Sequence, residues 1–497
     1  MRLKELIAEL SPTEREFLLG LEGVNPLTHG FFRKRVVHAG LNGEMVNSAQ
    51  TFDIWDNILN TAPSKLQAET AYIHIPFCKT KCLYCGFFQN GSQQEVEDAY
   101  IDRLIKEMER EMDKPRLKDT LISTVFIGGG TPTSLSPANA QRLLKAIKKC
   151  LPLTNDYELT LEGRIHDLVP EKMDIWMKGG VNRMSLGVQS FNTKVRQRLG
   201  RLDDEETVIK NLTALHDYQQ CAVVIDLIFG LPDQTPEVWE HDLKCLTSAP
   251  IDGADLYQLN VFAGSDLNKA IKSGKISPAA TTAEQAKMFA FANEYLTQRA
   301  YKRLSICHWA KNSRERSMYN SMAKAGVPMF CYGCGAGGTL NGYAAMNQRA
   351  LPAYNALIDS GKKPIMALIK ENPLSHIARL VTASLERGSL DIKKLAAIDS
   401  RLSELNWLYK LWIERGFIRY NGYQYELTLA GQFWQINLTQ STLECIQSLL
   451  TGKNTIAVQK IAAQEGATDE KRLKMLHAHQ HLQANKMLKG APEPMPV

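Results

Sequence analysis

Three cysteines lie close together in the sequence, at Cys78, Cys82 and Cys85. Their C-x3-C-x2-C spacing directly follows a strand-like run, which predicts that the three thiols share one loop and bind one metal centre. Iron-sulfur cubanes are usually held by four cysteines, so three would leave one iron open to another ligand, such as the amine and carboxylate of an amino acid. A zinc site of the Cys3His type, completed by His74 or a distant residue, is the alternative.

An alternating series of strand and helix patterns begins at Glu69 and would place the cysteine loop after the first strand. Short β-branched runs precede amphipathic stretches, such as residues 96–112 and a helix that opens at Ser136 and Pro137. Regular alternation of this kind predicts a parallel sheet, either open or closed as a barrel. The six predicted strands are residues 70–75, 122–127, 157–161, 182–186, 222–228 and 255–260.

The chain therefore belongs by prediction to the α/β class, with further segments on both sides of the core. We expect an N-terminal extension over residues 1–66, a βα core over 67–345, a mainly helical, winged-helix-like domain over 346–450 and a helical tail over 451–497. A small β element is predicted at residues 423–429 within the C-terminal domain.

Composition narrows the functional class only slightly. The 497 residues are 44% hydrophobic and 23% charged, with a formal net charge of +6 and no long basic block, so a nucleic-acid partner is not predicted. No apolar run reaches the roughly 18 residues of a membrane span, and the expected location is cytoplasmic, without membrane contact. In that reducing compartment the ten cysteines are unsuited to a disulfide framework, which favours metal binding for a tight cluster.

Polar and glycine residues recur where the predicted strands end. In parallel βα barrels, functional groups gather at the carboxyl ends of the strands. The glycines of such a run would let backbone amides approach a bound carboxylate or amine. After the cysteine loop, these features are the run Gly128 to Gly130, Glu162, Gln189 with Arg201 twelve residues later, and Asp226.

The segment from Tyr72 through the cysteine loop, followed by Gly-Gly-Gly-Thr-Pro at residues 128–132, resembles radical S-adenosylmethionine (SAM) enzymes of the oxygen-independent coproporphyrinogen oxidase superfamily. The resemblance implies a partial (β/α)6 barrel and a [4Fe-4S] cluster held by Cys78, Cys82 and Cys85. It also implies that SAM binds the open iron and is cleaved to methionine and a 5'-deoxyadenosyl radical.

The resemblance also assigns roles to individual residues, and it implies two SAM molecules. The residues expected at the cluster-bound SAM are Tyr72, Gly129 and Glu162. The residues expected at a second SAM are Tyr84, Gly130, Thr131, Gln189, Arg201 and Asp226. Two SAM molecules imply radical methylation, in which the methyl group of the second is activated and added to an sp2 carbon of the substrate.

Two features indicate a branch of this superfamily. Coproporphyrinogen oxidases carry another cysteine at the place of Phe87. The glycine loop at residues 331–338 and the N-terminal extension with His29, Arg33 and His38 look most similar to anaerobic haem-utilisation enzymes. That resemblance implies haem as the substrate, opened and methylated with release of iron, and a flavodoxin-like electron donor. A haem chaperone without turnover and an oxygen-independent coproporphyrinogen III dehydrogenase are the alternatives.

The sequence gives less evidence for a function of the other cysteines and of the histidines. Cys331 and Cys334 are expected to pack as small apolar side chains, although they could ligate haem iron or a second cluster together with Cys307. His308 is a candidate haem ligand, whereas His29 and His38 are more typical of structural histidines. Spacings of two place His477, His479 and His481 on different helical faces, which predicts exposed surface.

Overall fold

The computed structural model describes residues 2–36, 38–86 and 89–456, and its residues form two compact units. The barrel unit consists of Glu44–Ala280 and Ala292–Glu371. The terminal unit consists of Met1–Gly43, Thr281–Phe291 and Asn372–Val497, as far as these segments are described. The N-terminal segment therefore groups with the C-terminal residues. Most of the predicted 451–497 tail lies outside the described residues.

The strands are numbered in chain order, and they alternate with helices through most of the barrel unit. They are β1 (Glu44–Met45), β2 (Ala68–Ile75), β3 (Phe77–Cys78), β4 (Asn90–Gly91), β5 (Leu121–Gly129), β6 (Leu153–Arg164), β7 (Arg183–Gln189), β8 (Ala222–Phe229), β9 (Gly253–Gln258), β10 (Lys302–Arg303), β11 (His308–Ala310), β12 (Met329–Tyr332), β13 (Gly337–Leu340), β14 (Tyr343–Asn347), β15 (Ile365–Lys370), β16 (Ser389–Leu390), β17 (Ile418–Tyr420) and β18 (Tyr425–Leu427).

The helices include the two that were predicted in detail, α5 and α7, and Ser136 caps α7 by accepting a hydrogen bond from the Asn139 amide. They are α1 (Leu3–Ala8), α2 (Pro12–Leu19), α3 (Pro26–His29), α4 (Thr51–Asn60), α5 (Gln94–Glu111), α6 (Pro115–Lys118), α7 (Pro137–Cys150), α8 (Pro170–Lys178), α9 (Thr193–Arg198), α10 (Glu205–His216), α11 (Pro236–Ser248), α12 (Asp266–Lys272), α13 (Thr282–Gln298), α14 (Met318–Lys324), α15 (Leu351–Asp359), α16 (Ser375–Glu386), α17 (Ile392–Ile398), α18 (Leu405–Glu414), α19 (Leu429–Phe433) and α20 (Gln435–Thr451).

Six parallel strands form the centre of the barrel unit, in the order β2-β5-β6-β7-β8-β9. Each corresponds to one of the six predicted strands, so the predicted α/β fold is confirmed. These strands are largely buried, and every residue of β7 is buried, because helices cover a sheet of this kind on its outer face. None of the described helices is both long and apolar enough to cross a membrane.

The sheet continues at both edges beyond the predicted strands. On one side β12 pairs in parallel with β2, and antiparallel strands β13, β14, β15 and β1 follow. On the other side β11 runs antiparallel to β9 and pairs with β10. These strands have two to six residues and are separated by glycine turns such as Gly333 and Gly335. Strands this short do not show a hydrophobic periodicity from which they could be predicted.

Strand register brings the predicted site residues to one edge of the sheet. Ile75 at the end of β2 lies opposite Gly129, and Glu162 in β6 lies opposite Ser185. Gly187 in β7 pairs with Asp226 in β8. Because parallel strands run in the same direction, these carboxyl ends and the loops that follow them form a common rim.

In the terminal unit, the N-terminal segment packs on C-terminal helices through buried polar contacts. The indole nitrogen of Trp412 donates to the Leu19 carbonyl at 3.1 Å. Arg35 donates two hydrogen bonds to the Glu444 carboxylate, at 2.8 and 2.7 Å, and both side chains are almost fully buried. The small sheet β16-β18-β17 includes the β element predicted at residues 423–429.

We expect Arg35→Met to lower the free energy of unfolding of the terminal unit by about 3–5 kcal/mol, because it leaves the Glu444 carboxylate buried without its cation. Urea denaturation followed by tryptophan fluorescence checks this. Arg15→Met, at an exposed arginine of the same unit, serves as the control and should stay near wild type. Equal stability of the two variants would contradict the assignment.

Candidate active site

The cysteine loop begins at the rim, directly after β2. Cys78 and Cys82 are buried and Cys85 is partly exposed. The Cys85 amide donates to the Cys82 carbonyl at 3.1 Å, which forms a turn that brings the second and third cysteines together. Burial raises the pKa of the Cys78 thiol, and the Thr131 hydroxyl donates to its sulfur at 3.3 Å. Thr131 is thus in direct contact with the first predicted cluster ligand.

Contacts on both sides of the loop fix its backbone. The Leu83 amide donates to the Leu199 carbonyl at 3.2 Å, and the Leu83 carbonyl accepts from the Leu267 amide at 3.1 Å. Arg164 donates to the Thr80 hydroxyl at 2.7 Å. These bonds join the loop to the end of β6 and to segments that follow β7 and β9, so several parts of the barrel unit hold the cysteine loop at once.

The glycine run packs against the cysteine loop and leaves no room for side chains. A Cβ atom on Gly130 would lie 2.4 Å from the Phe77 carbonyl oxygen, and one on Gly129 would lie 2.6 Å from the His74 ring. Gly129 also has a φ of +114°, which other residues rarely adopt. Their amides donate within the chain, Gly129 to Glu162 at 3.2 Å and Gly130 to Ile75 at 2.8 Å. Packing of the protein itself therefore already requires glycine here.

A row of aromatic rings leads from Tyr72 across the sheet. The Tyr72 hydroxyl and His74 Nδ1 are 3.0 Å apart, and the Tyr72 ring stacks on Phe126, which stacks on Tyr319. Burial, together with Arg349, lowers the pKa of His74 to about 4, so the ring is neutral. Its Nε2 is buried and has no hydrogen-bond partner among the described residues. The sequence did not single out Phe126 or Tyr319, because isolated aromatic residues give no motif.

His74, the proposed fourth ligand of a zinc site, is held by these neighbours. Its ring lies under Gly129 and its Nδ1 is used by Tyr72. Glu162 lies beside the same glycines, and burial raises its pKa to about 7 despite the hydrogen bond from the Gly129 amide. At neutral pH this carboxyl group can therefore exist in either protonation state.

Tyr84, Gln189 and Arg201 meet at the end of β7. Arg201 donates to the Tyr84 hydroxyl through Nε at 3.1 Å and Nη2 at 2.8 Å, and to the Gly187 carbonyl through Nη1 at 3.0 Å. Gln189 has a φ of +72°, and its side-chain oxygen is buried without a partner in the described part of the chain. The sequence predicted these three residues for one binding site, and the structure brings them together.

Asp226 lies opposite Gly187 and beside a buried ionic network. Burial, Asp255 and Glu162 raise the pKa of Asp226 to about 8, and its Oδ1 has no partner among the described atoms. His308 Nδ1 lies 2.8 Å from Asp255, and His308 Nε2 lies 3.0 Å from Glu315. Despite burial, these two carboxylates raise the pKa of His308 to about 9.

The candidate haem ligand His308 is therefore not free, because both of its ring nitrogens face carboxylates. Cys331 and Cys334 are buried, as expected for packing, and burial raises both pKa values to about 12. His29 contacts the Thr28 hydroxyl at 2.8 Å, and His38 is exposed. The remaining residues of interest, Phe87, His477, His479 and His481, lie outside the described residues.

Comparisons with known proteins identify the family of this chain. The profile of the radical SAM superfamily matches residues 72–246, a range that includes the cysteine loop and the residues predicted to bind SAM. The chain is also 34% identical over 405 residues to anaerobilin synthase of Escherichia coli O157:H7, covering 81% of this chain and 90% of that protein. This chain belongs to the radical SAM superfamily.

Other proteins are similar over shorter stretches or at lower identity. The haem chaperone HemW of Bacillus subtilis is 30% identical over 58% of this chain and 76% of its own. The solved structure of coproporphyrinogen III oxidase from Escherichia coli superposes with a TM-score of 0.69 at 22% identity, covering 80% of this chain and 96% of that one. The latter shows that the fold is that of a radical SAM enzyme.

Radical SAM enzymes use a [4Fe-4S] cluster and SAM, and the residues at the rim fit both groups. Three thiols lie on one loop with Thr131 at the first, and a cubane needs thiolate ligands. Three buried atoms nearby have no partner within the described chain, namely His74 Nε2, Gln189 Oε1 and Asp226 Oδ1. A buried polar atom without a hydrogen-bond partner destabilises the fold. A polar ligand bound at the rim would supply hydrogen bonds to these three atoms.

We expect Gly130→Ala to reduce the iron bound per chain after anaerobic reconstitution and to destabilise the barrel unit by about 1–3 kcal/mol, because its methyl group would displace Phe77. Gly86→Ala, in the cysteine loop itself, is the control, since a Cβ there meets no atom of the described residues within 4 Å. Iron and sulfide analysis measures the effect. Wild-type iron content in Gly130→Ala would show that the close packing is unimportant for the cluster.

A pH dependence follows from Glu162. Its pKa in the folded chain, about 7, lies above the ordinary 4.5, so the folded state holds the proton more tightly. Its contribution to the free energy of unfolding is therefore present below pH 4.5 and is lost as the pH rises to about 7.

Glu162→Gln should remove this dependence, so that between pH 5 and 8 wild type loses up to roughly 3 kcal/mol relative to the variant. Urea denaturation of the cofactor-free protein at a series of pH values measures the difference. Glu171→Gln, at an exposed glutamate, should follow wild type at every pH. Parallel curves for wild type and Glu162→Gln would contradict the shifted pKa.

Proposed function

We propose that this chain is a radical SAM C-methyltransferase that methylates and opens the haem macrocycle without oxygen and thereby releases iron. The observation that carries the proposal is the extent of the likeness to anaerobilin synthase. It covers 81% of this chain and reaches well beyond residues 72–246, whereas the likeness to the haem chaperone HemW of B. subtilis covers 58%. Similarity over nearly a whole protein includes the segments that would contact a large substrate.

In this proposal Cys78, Cys82 and Cys85 hold the cluster, and the rim residues hold two SAM molecules. When bound, these groups supply one-electron chemistry that activates the methyl group of one SAM. The cluster-bound SAM would be held by Tyr72, Gly129 and Glu162. The second SAM would be held by Tyr84, Gly130, Thr131, Gln189, Arg201 and Asp226.

Arg201 is prepared to bind a carboxylate. Among the described residues, Tyr84 and Gly187 together accept three hydrogen bonds from Arg201, which fixes the plane of the guanidinium and leaves one N–H on each terminal nitrogen. A planar guanidinium with two parallel donors matches the carboxylate of a methionyl group. Gln189 Oε1 and Asp226 Oδ1 are acceptors for an ammonium group or ribose hydroxyls.

Glu162 and Asp226 give the rim two carboxyl groups that titrate near neutrality. Their pKa values are raised to about 7 and about 8, chiefly by burial. In the proposal, such groups hold or release a proton during turnover without keeping a fixed negative charge at the buried rim. A flavodoxin-like protein would supply the electrons, and haem would be the substrate.

The second candidate function is that of a haem chaperone, which the 30% identity to HemW favours. A chaperone would bind haem and keep its macrocycle intact. Oxygen-independent coproporphyrinogen III dehydrogenase is a third possibility, supported by the likeness of fold to coproporphyrinogen III oxidase.

Anaerobic incubation of the reconstituted protein with dithionite, SAM and haem separates these functions. We expect loss of the Soret absorbance, formation of 5'-deoxyadenosine and a methylated linear tetrapyrrole by mass spectrometry. Cys82→Ala should abolish cluster assembly and SAM cleavage, whereas Cys334→Ala, at a buried cysteine outside the loop, should retain the cluster.

A surviving Soret band together with 5'-deoxyadenosine and no methylated product would reject haem opening. Conversion of coproporphyrinogen III under the same conditions would support the dehydrogenase. Loss of the cluster in Cys334→Ala would show that the ligands are wrongly assigned.

A further inference from the structure

A second group of metal-ligating side chains lies away from the rim, on the helices that cover the barrel unit. Glu205 is in the first turn of α10, and His241 and Cys245 are four residues apart on α11. Within the described ranges, these three residues are the one group of histidine, cysteine and acidic side chains whose donor atoms all lie within 4.8 Å of one another.

The distances in this group approach those of a tetrahedral metal site. Cys245 Sγ lies 3.4 Å from His241 Nε2 and 3.5 Å from Glu205 Oε1, and His241 Nε2 lies 2.9 Å from Glu205 Oε2. Ordinary zinc bond lengths and a tetrahedral angle give about 3.6 Å for each distance to sulfur and about 3.4 Å between nitrogen and oxygen. An ion would thus need the imidazole and carboxylate to separate by only about 0.5 Å.

Local structure explains why the three donors meet. Residues four apart on a helix point in the same direction, so His241 and Cys245 form one pair of ligands on the face of α11 toward α10. Their side chains are accessible, with 46% of His241 and 38% of Glu205 exposed, and an ion can therefore enter from solvent. An exposed His-Glu ion pair alone contributes little to stability.

We propose that Glu205, His241 and Cys245 bind a borderline divalent transition-metal ion, Zn²⁺ in the first instance, with solvent at the fourth position. One nitrogen, one sulfur and one oxygen suit zinc better than Mg²⁺ or Ca²⁺, which prefer oxygen ligands alone. On binding, the thiol of Cys245 passes its proton to solvent and the metal-sulfur bond forms without any change in oxidation state.

Such a site would link α10 to α11. Glu205 follows Arg201 by four residues, and its amide donates to the Thr193 hydroxyl on α9 at 3.1 Å. An ion bound to Glu205 would therefore fix the start of α10, next to the segment that carries Arg201. The site stands independently of the proposed reaction, because none of its three ligands belongs to the rim.

Zinc content of the full-length protein with its cluster assembled anaerobically tests this proposal. After dialysis against Zn²⁺ and removal of weakly bound ions, we expect one zinc per chain in addition to the cluster iron. X-ray absorption at the zinc edge should show a single sulfur neighbour with nitrogen and oxygen. Zinc captured by the cysteine triplet would instead show three sulfur neighbours.

Cys245→Ser and His241→Ala should lose the bound zinc while keeping wild-type iron content and circular dichroism. Glu206→Gln, the adjacent exposed glutamate on α10, and Cys150→Ser, a cysteine on α7, are matched controls and should retain zinc. Absence of zinc from wild type, three sulfur neighbours, or unchanged zinc in Cys245→Ser would each overturn the proposal.

Discussion

The Phe77 carbonyl is the contact on which the rim depends. It accepts a hydrogen bond from the Thr131 amide at 2.8 Å, and Gly130 lies so close that no Cβ atom fits between them. This approach places the Thr131 hydroxyl on Cys78 and Gly129 over the His74 ring. A larger residue in the glycine run would separate two strand ends, and the cysteine loop and the aromatic row would move together.

Burial also sets the pKa values of the carboxyl groups at the rim. Glu162 and Asp226 are close enough to affect each other, and Asp255 adds further negative charge beside Asp226. Although burial opposes its charge, His308 and Arg183 keep the pKa of Asp255 below its ordinary value. One carboxylate therefore stays ionised with its cations, while the two at the rim can be neutral. This separation lets the rim accept a charged ligand without strong internal repulsion.

Much of the barrel unit could be predicted from the sequence, since each of the six central strands has its own hydrophobic run and a turn that ends it. Tyr84, Gln189 and Arg201 were expected from the resemblance to bind one ligand; their side chains lie close together, while their role in binding stays a prediction. The partners of His308 could not be predicted, because pairing with Asp255 and Glu315 depends on an antiparallel strand of three residues. Local periodicity is too short to reveal such a strand.

The packing of the N-terminal segment could not be predicted from the sequence either, because its partners lie near the other end of the chain. The bond between Arg35 and Glu444 joins residues 409 positions apart. At ordinary rates of translation the ribosome needs about 20 to 80 s to synthesise that interval. During most of that time Arg35 has no Glu444 to pair with, and α1 and α2 lack α18 and α20, the helices on which they respectively pack. The segment of α1 and α2 therefore reaches its final structure only after residues some 400 positions later have been synthesised, and its apolar faces stay uncovered until then.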